Sequence, residues 1–136
     1  MFIIATIGLP ASGKSTWAKH LVRRSNGQVK RVNKDDLRSM IDVGEWSEEN
    51  ERLIEIARNA LIESFLSRGF SVVCDDTNFH PSHIATFEGF AVRYKARFIL
   101  EDFRGVPLEE CIRRDGLRDD SVGETVIRGM HNKYMA

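Results

Sequence analysis

Gly8-Leu9-Pro10-Ala11-Ser12-Gly13-Lys14-Ser15 completes the pattern G-x-x-x-x-G-K-[ST], and no other part of the chain restricts its fold as tightly. Before it lies a short apolar run, Phe2 to Gly8, with Ile3, Ile4 and Ile7, the pattern of a parallel strand buried on both faces. After it the pattern turns helical, with Trp17, Leu21 and Val22 on one face and basic residues on the other, ending near Asn26-Gly27. A strand, a tight glycine turn and a helix in that order direct backbone N–H groups inward and add the positive end of a helix dipole. The product is a cradle for the phosphates of ATP or another nucleoside triphosphate. Gly8, Pro10, Ala11, Ser12 and Gly13 shape it, Lys14 reaches the β and γ phosphates, Ser15 is the candidate Mg²⁺ ligand, and Thr16 lies near the α and β phosphates.

The rest of the chain continues the alternation. Strands are expected at about 29–33, 70–74 and 96–101, with a short helical turn over 35–40 broken by Gly44-Glu45-Trp46. A long helix runs from an N-cap at Ser47 to Gly69, with Glu48, Glu49 and Glu51 in its first turn and Leu53, Ala57, Ala60, Leu61 and Ser64 as its inward stripe. Another helix starts near Pro81, and a short one runs from Pro107 to about Arg114. The last opens with a capping box, Ser121-x-x-Glu124, and carries Ile127, Met130 and Tyr134 on its apolar side. The alternation predicts an α/β protein, a parallel sheet of about four to five strands with helices on both faces; with the loop motif it resembles the P-loop NTPase fold, and that resemblance implies a helical lid at about 107–121. At 136 residues the chain is expected to form one domain, 1–136.

Composition narrows the partners. With 42% hydrophobic and 29% charged residues the chain can bury a core, and no apolar run is long enough to span a bilayer. The start, MFIIATIGLP, shows neither a basic leader nor a cleavage site, so a cytoplasmic location is expected. Cys74 and Cys111 are too few for a disulfide framework and read as core thiols. Net charge is zero, yet residues 1–38 carry eight Lys/Arg against Asp35 and Asp36, while residues 39–69 hold seven acids and three bases. The positive end is the anion-facing end, and contact with a polynucleotide should be local rather than spread over a basic surface.

The cradle identifies the donor but not the reaction. Asn33-Lys34-Asp35-Asp36 and Asp102-Phe103-Arg104-Gly105 imitate the N-K-x-D and D-x-x-G motifs of GTPases, but in reversed order. A helicase or AAA-type motor needs an apolar strand ending in Asp-Glu, where this chain has Cys74-Asp75-Asp76. In a doubly wound sheet the carboxyl ends of neighbouring strands open onto one crevice, which gathers Asp35, Asp36, Asp75 and Asp76 opposite the cradle. Transfer to a hydroxyl needs a carboxylate to take the attacking proton and cations to spread the charge on the moving phosphoryl group. Arg38, three residues past Asp35, shares its helical face and suits an anionic acceptor. Asp36 and Asp75 are better read as capping or pairing with Arg38. Arg118 lies in a Gly/Asp-rich loop, as suits an arginine supplied to the transition state, whereas Arg113 reads equally as a solvated face. His80 and His83 lack a third metal ligand, and Trp17, Trp46 and Phe79 read as packing residues.

With these residues assembled, the chain resembles the 5′-kinase domain of the phage polynucleotide kinases. The carrying residues are the loop running into Ser15-Thr16-Trp17-Ala18, Asn33-Lys34-Asp35-Asp36-Leu37-Arg38, Asp76-Thr77-Asn78, Val106-Pro107, and Arg114 with Arg118. The resemblance covers nearly the whole chain and implies transfer of the ATP γ-phosphate to the 5′-OH of a polynucleotide, with Mg²⁺. It implies Asp35 as general base, Arg38 on the acceptor phosphate, Arg114 and Arg118 at the donor phosphates from the lid, and Asp76 with Ser15 at the metal end. The lid spacing after Arg118 and the extra charge at Asp75 depart from the family pattern. A small-molecule kinase and a nucleotide-binding switch are the competing readings. Asp75-Asp76-Thr77 lacks the D-x-D-x-T spacing of a 3′-phosphatase, so removal of 3′-phosphates, like ligation, is expected to fall to a separate partner.

Overall fold

The computed structural model describes residues 1–136, with the elements in the order β1 (Phe2–Ile7), α1 (Lys14–Arg24), β2 (Val29–Val32), α2 (Lys34–Asp42), α3 (Glu48–Ser67), β3 (Ser71–Cys74), α4 (Pro81–Tyr94), β4 (Arg97–Asp102), α5 (Leu108–Asp115) and α6 (Glu124–Tyr134). The sheet has four strands in the order β2-β3-β1-β4, and every pairing is parallel. β1 runs between β3 and β4, Ile4 lying opposite Val73 on one side and Ile99 on the other. This central place explains why its residues read as a continuous apolar run rather than an alternating one.

Successive side chains of β1 serve opposite layers. Ile3 and Ala5 join Val72, Cys74 and Val32 beneath α3 and α4, where Ile54, Ile62, Leu66, Phe87 and Ala91 complete the larger core. Ile4 packs on the other face with Ala18 of α1, Val29 and Val73. A third cluster, Leu9 with Cys111 and Ile127, fastens the phosphate loop to α5 and α6.

Three expectations are corrected here. The inward face of α3 is Ile54, Arg58, Ile62 and Leu66, a strict four-residue repeat, and the expected stripe lies beside it: Leu53, Ala60 and Leu61 are exposed. Both faces of this helix are rich in apolar residues, so periodicity alone does not choose between them. The capping box does not form. Ser121 Oγ donates instead to Asp115 Oδ2 at 2.6 Å, and α6 begins at Glu124 after Gly123 without a side-chain cap. Trp46 does not pack; it is 68% exposed in the turn between α2 and α3. No helix is long and apolar enough to cross a membrane.

Candidate functional site

The phosphate loop leaves β1 at Gly8, whose amide donates to the Thr77 carbonyl at 3.2 Å. A Cβ built on Gly8 would lie 2.7 Å from Phe103 Cβ and 3.1 Å from the Phe103 carbonyl carbon, so only glycine lets the loop pass this close to the end of β4. Gly13, with φ at 103°, turns the chain into α1, whose first turn has no side-chain cap. Its N-terminal amides are thus available to an anion, and the positive helix end faces the same way. The ring of Trp17 meets Phe103 edge-on at 5.9 Å and closes the base of the turn.

Lys14 is buried at the start of α1. Its ammonium donates to the Leu9 carbonyl at 2.6 Å and weakly to Ser12 Oγ at 3.4 Å. Burial lowers its pKa from 10.5 to about 8, against the upward pull of Asp75, Asp76 and Asp35. A cation held on a loop's own carbonyl, under an uncapped helix, fits a polyphosphate, which would replace that carbonyl as its partner.

A cavity of about 700 Å³ opens over the loop. It gathers Pro10, Ala11, Gly13, Lys14, Ser15 and Thr16 from the loop and α1, and Lys34, Asp35 and Arg38 from α2. Asp75, Asp76 and Thr77 line it after β3, and Arg114 and Arg118 line it from α5 and the loop beyond. Most of the residues singled out from sequence therefore meet in one space. Gly8 and Ser12 lie behind its wall as framework, and Arg113 stays outside, paired with Glu110 at 2.6 Å.

Asp35 and Asp36 of α2 diverge because neighbours on a helix do not face the same way. Asp35 projects into the cavity with its side chain 84% exposed and accepts from Arg38 Nη1 at 2.5 Å. Asp36 instead receives Arg31 Nη1 at 2.7 Å, and the same guanidinium grips Asp75 through Nε at 2.9 Å to each oxygen. Asp36 and Asp75 are thus spent on a structural pair, but with Arg31 of β2 and not with Arg38. The cap of α2 is Asn33, whose Oδ1 accepts from the Asp36 amide at 3.1 Å.

Asp76 is buried, and its two oxygens have separate tasks. Oδ1 accepts from the Lys34 amide at 2.8 Å, tying the start of α2 to the end of β3, and Oδ2 accepts from Cys74 Sγ at 3.2 Å. Burial raises its pKa, and the Lys34 amide and ammonium oppose the rise. No group of three or more His, Cys, Asp or Glu is arranged to hold a metal. Ser15 and Asp76, the candidate Mg²⁺ ligands, both line the cavity; a hydroxyl and one nearby carboxylate suit an ion that keeps waters and takes phosphates as its other ligands.

Arg58 lies behind Asp76, 1% exposed, over the Phe87 ring at 5.0 Å and 3.9 Å from Asp76 Oδ2. His83 is 3.3 Å from it, and burial brings the imidazole pKa down to about 4, so it is neutral at pH 7. His80 caps α4, accepting from the Ser82 amide at 3.1 Å.

On the far side, Asp115 gathers the loop after α5. It accepts from Ser121 Oγ, from the Val122 and Gly123 amides at 3.1 and 3.0 Å, and from Arg118 Nη2 at 2.5 Å. Burial alone would raise its pKa; these hydrogen bonds more than offset that and hold it well below the usual carboxylate range. Asp115 therefore sets the pose of Arg118. Arg114, restrained by Glu110 at 2.9 Å, brings Nη1 to 3.9 Å from where a Gly13 Cβ would stand, directly over the phosphate turn.

Sequence reasoning missed Arg31, Glu51, Arg58 and Asp115. Glu51 carried only the signature of a first-turn helix acid, yet it forks onto Arg38 at 2.7 and 2.5 Å. Arg31 and Arg58 act on Asp75 and Asp76, more than fifteen residues away along the chain, and Asp115 gathers most of its donors from across an irregular loop.

Known proteins resemble this chain in fold and in sequence. A structure of the Pnkp1/Rnl/Hen1 RNA repair complex matches with a TM-score of 0.76 and 26% identity, over 97% of this chain and 43% of that one. The APS kinase CysC of Mycobacterium tuberculosis, in complex with AMPPNP and APS, matches in fold with a TM-score of 0.65 and 21% identity, over 85% of this chain and 69% of that one. In sequence, the chain is 30% identical to an L-seryl-tRNA(Sec) kinase of Methanococcus maripaludis over 137 aligned residues, 98% of this chain. It spans about half of that relative's length, 52%. A family model described as an AAA domain covers residues 3–136. The match does not bring in the acid pair of a motor, since β3 is followed by Asp75-Asp76 rather than Asp-Glu, and Asp75 is held by Arg31. With the sheet order, the phosphate loop and these relatives in agreement, the chain belongs to the AAA-domain family and has the P-loop kinase form of its fold.

Proposed function

We propose that this domain transfers the γ-phosphate of ATP to the 5′-hydroxyl of a polynucleotide, DNA or RNA, in the healing of broken ends. The observation that carries the reading is the sharing of one cavity by the phosphate loop and by Asp35 with Arg38. Asp35, exposed and aimed into that cavity, takes the proton of the attacking hydroxyl as its oxygen bonds to the γ-phosphorus. The bond from that phosphorus to the β–γ bridging oxygen breaks, and ADP leaves. Lys14 and the loop amides hold the β and γ phosphates, and Arg114 and Arg118, on a lid spanning about 107–121, balance the charge that develops in transfer. Arg38 binds the phosphate next to the reacting sugar. Mg²⁺, held through Ser15 with Asp76 nearby, supplies neutralisation of the phosphate oxygens.

The RNA repair complex among the structural neighbours supports this acceptor class and, with it, a separate 3′-phosphatase or ligase as working partner. A second reading is favoured by the 30% identity to a seryl-tRNA kinase: the acceptor hydroxyl is then carried by a charged tRNA. ADP release measured with Mg²⁺ and ATP separates the two, using a 5′-OH oligonucleotide, a seryl-tRNA, a free small alcohol, or no acceptor. Stimulation by the 5′-OH oligonucleotide, and its loss when that end is already phosphorylated, is expected. Stimulation by seryl-tRNA or by the free alcohol alone overturns the proposal, and slow turnover indifferent to every acceptor identifies a switch.

A further inference from the structure

We infer that Glu51 is a positioning residue for the acceptor half of the site: it holds Arg38 in one pose and thereby governs recognition of a phosphate beside the acceptor hydroxyl. This rests on the phosphotransfer reading above and deepens it.

Glu51 lies in the anchored first turn of α3. Ser47 caps that turn, accepting from the Asn50 amide at 3.0 Å, and the Glu51 amide donates to the Ser47 carbonyl at 2.9 Å. From this fixed base the carboxylate reaches α2 and meets Arg38 edge-on, Nε to Oε2 at 2.7 Å and Nη2 to Oε1 at 2.5 Å. Lys34 Nζ lies 3.5 Å from Oε1. The side chains of Arg38 and Glu51 are 29% and 21% exposed, so the pair is partly desolvated and its geometry defined, unlike a surface ion pair of negligible worth.

Donor counting shows what this fork leaves. A guanidinium has five N–H groups. Two go to Glu51 and one, on Nη1, goes to Asp35. One N–H on each terminal nitrogen remains, and such a pair matches two oxygens of a phosphate. Without Glu51 the nearest anion to Arg38 is Asp35, one turn away on the same helix. The guanidinium would then swing onto it, consuming the free donors and covering the carboxylate that must receive the proton. Glu51 thus divides Arg38 between two carboxylates and keeps both the base and the phosphate fork open.

The test compares the unmodified protein with Glu51→Gln, Glu51→Asp, Arg38→Ala and the double variant Arg38→Ala/Glu51→Gln, at saturating ATP and Mg²⁺. Two acceptors are used: a 5′-OH dinucleotide, which has a phosphate on its first sugar, and the matching nucleoside, which has none. Glu51→Gln should raise KM for the dinucleotide about tenfold, the scale of breaking one partly buried charge pair, and leave KM for the nucleoside and ATP unchanged. The double variant should be no worse than Arg38→Ala alone, since both act through one guanidinium. Glu51→Asp, which keeps the charge, should restore part of the loss, and it serves the same comparison where the glutamine variant folds poorly. Equal rises for both acceptors, or multiplying losses in the double variant, overturn the inference. So does an acceptor-specific rise in Arg38→Ala with none in Glu51→Gln or Glu51→Asp, and in that case the kinase reading survives. Failure of the unmodified protein to phosphorylate either acceptor overturns the kinase reading itself and the inference with it; an Arg38→Ala variant with unchanged KM for both removes Arg38 from the acceptor phosphate and overturns the inference, and the kinase reading survives.

Discussion

Replacing Lys14 by methionine should abolish phosphoryl transfer and yet make the protein more stable at neutral pH. The ammonium is buried and bonded only to the Leu9 carbonyl and Ser12 Oγ, and burial brings its pKa from 10.5 to about 8. At pH 7 the folded state carries this charge at a cost of about 3 kcal/mol, the free-energy equivalent of that drop in pKa. Methionine fills nearly the same volume without the charge but leaves the Leu9 carbonyl without its donor, which returns about 1 kcal/mol. The net gain is about 2 kcal/mol, or about 7 °C in Tm for a chain of 136 residues. The sign follows from linkage. With the folded pKa below the unfolded one, the unfolded state binds more protons between pH 8 and 10.5, so the stability of the unmodified protein rises with pH through that window. The advantage of Lys14→Met should therefore shrink above pH 8 and vanish at about pH 10, where the remaining cost of the charge equals that of the missing hydrogen bond. Urea denaturation of both proteins at pH 7, 8, 9 and 10, without nucleotide, measures the whole curve. A methionine variant less stable at pH 7, or a difference that does not change with pH, refutes the reasoning.

Asp35→Asn should lower kcat by about 100-fold or more with ATP binding intact, as expected for a lost general base, whereas Asp36→Asn should leave kcat nearly unchanged because that carboxylate serves Arg31. Single-turnover kinetics compares the two, and the opposite order would move the base to Asp36. Gly8→Ala should destabilise by about 1–3 kcal/mol and weaken ATP binding, because the added Cβ meets Phe103 at 2.7 Å; Gly89→Ala, in α4 with nothing within 4 Å, should stabilise by about 0.5–1 kcal/mol. Thermal unfolding of both variants checks the contrast, and a neutral Gly8→Ala would contradict the close approach. Arg118→Ala should chiefly lower kcat, and Asp115→Asn should reproduce part of that loss by releasing the arginine; an Arg118→Ala effect confined to KM for the acceptor would remove it from the donor phosphates.

Local sequence was sufficient wherever the physics is local. The phosphate loop needs a buried strand, glycines at set intervals and a following helix start, all within Phe2 to Leu21, and each was legible as written. The same holds for the alternation of strands and helices that makes the sheet parallel, and for the separation of Asp35 from Asp36, which follows from helical rotation. Tertiary structure decided which of two apolar faces α3 turns inward, because that choice depends on the sheet and α4 packing against Ile54, Ile62 and Leu66. It also decided every pairing that crosses elements. Arg31 holds both Asp75 and Asp36, Arg58 stands behind Asp76, and Glu51 takes Arg38 from thirteen residues away. Asp115, the residue closest to a local signal, displaced the expected cap at Ser121 because a buried carboxylate needs several donors at once, and only the folded loop delivers them together. Spacing in a chain encodes what lies on one element, whereas the partner of a buried charge is whichever group the packing of separate elements brings within hydrogen-bond reach.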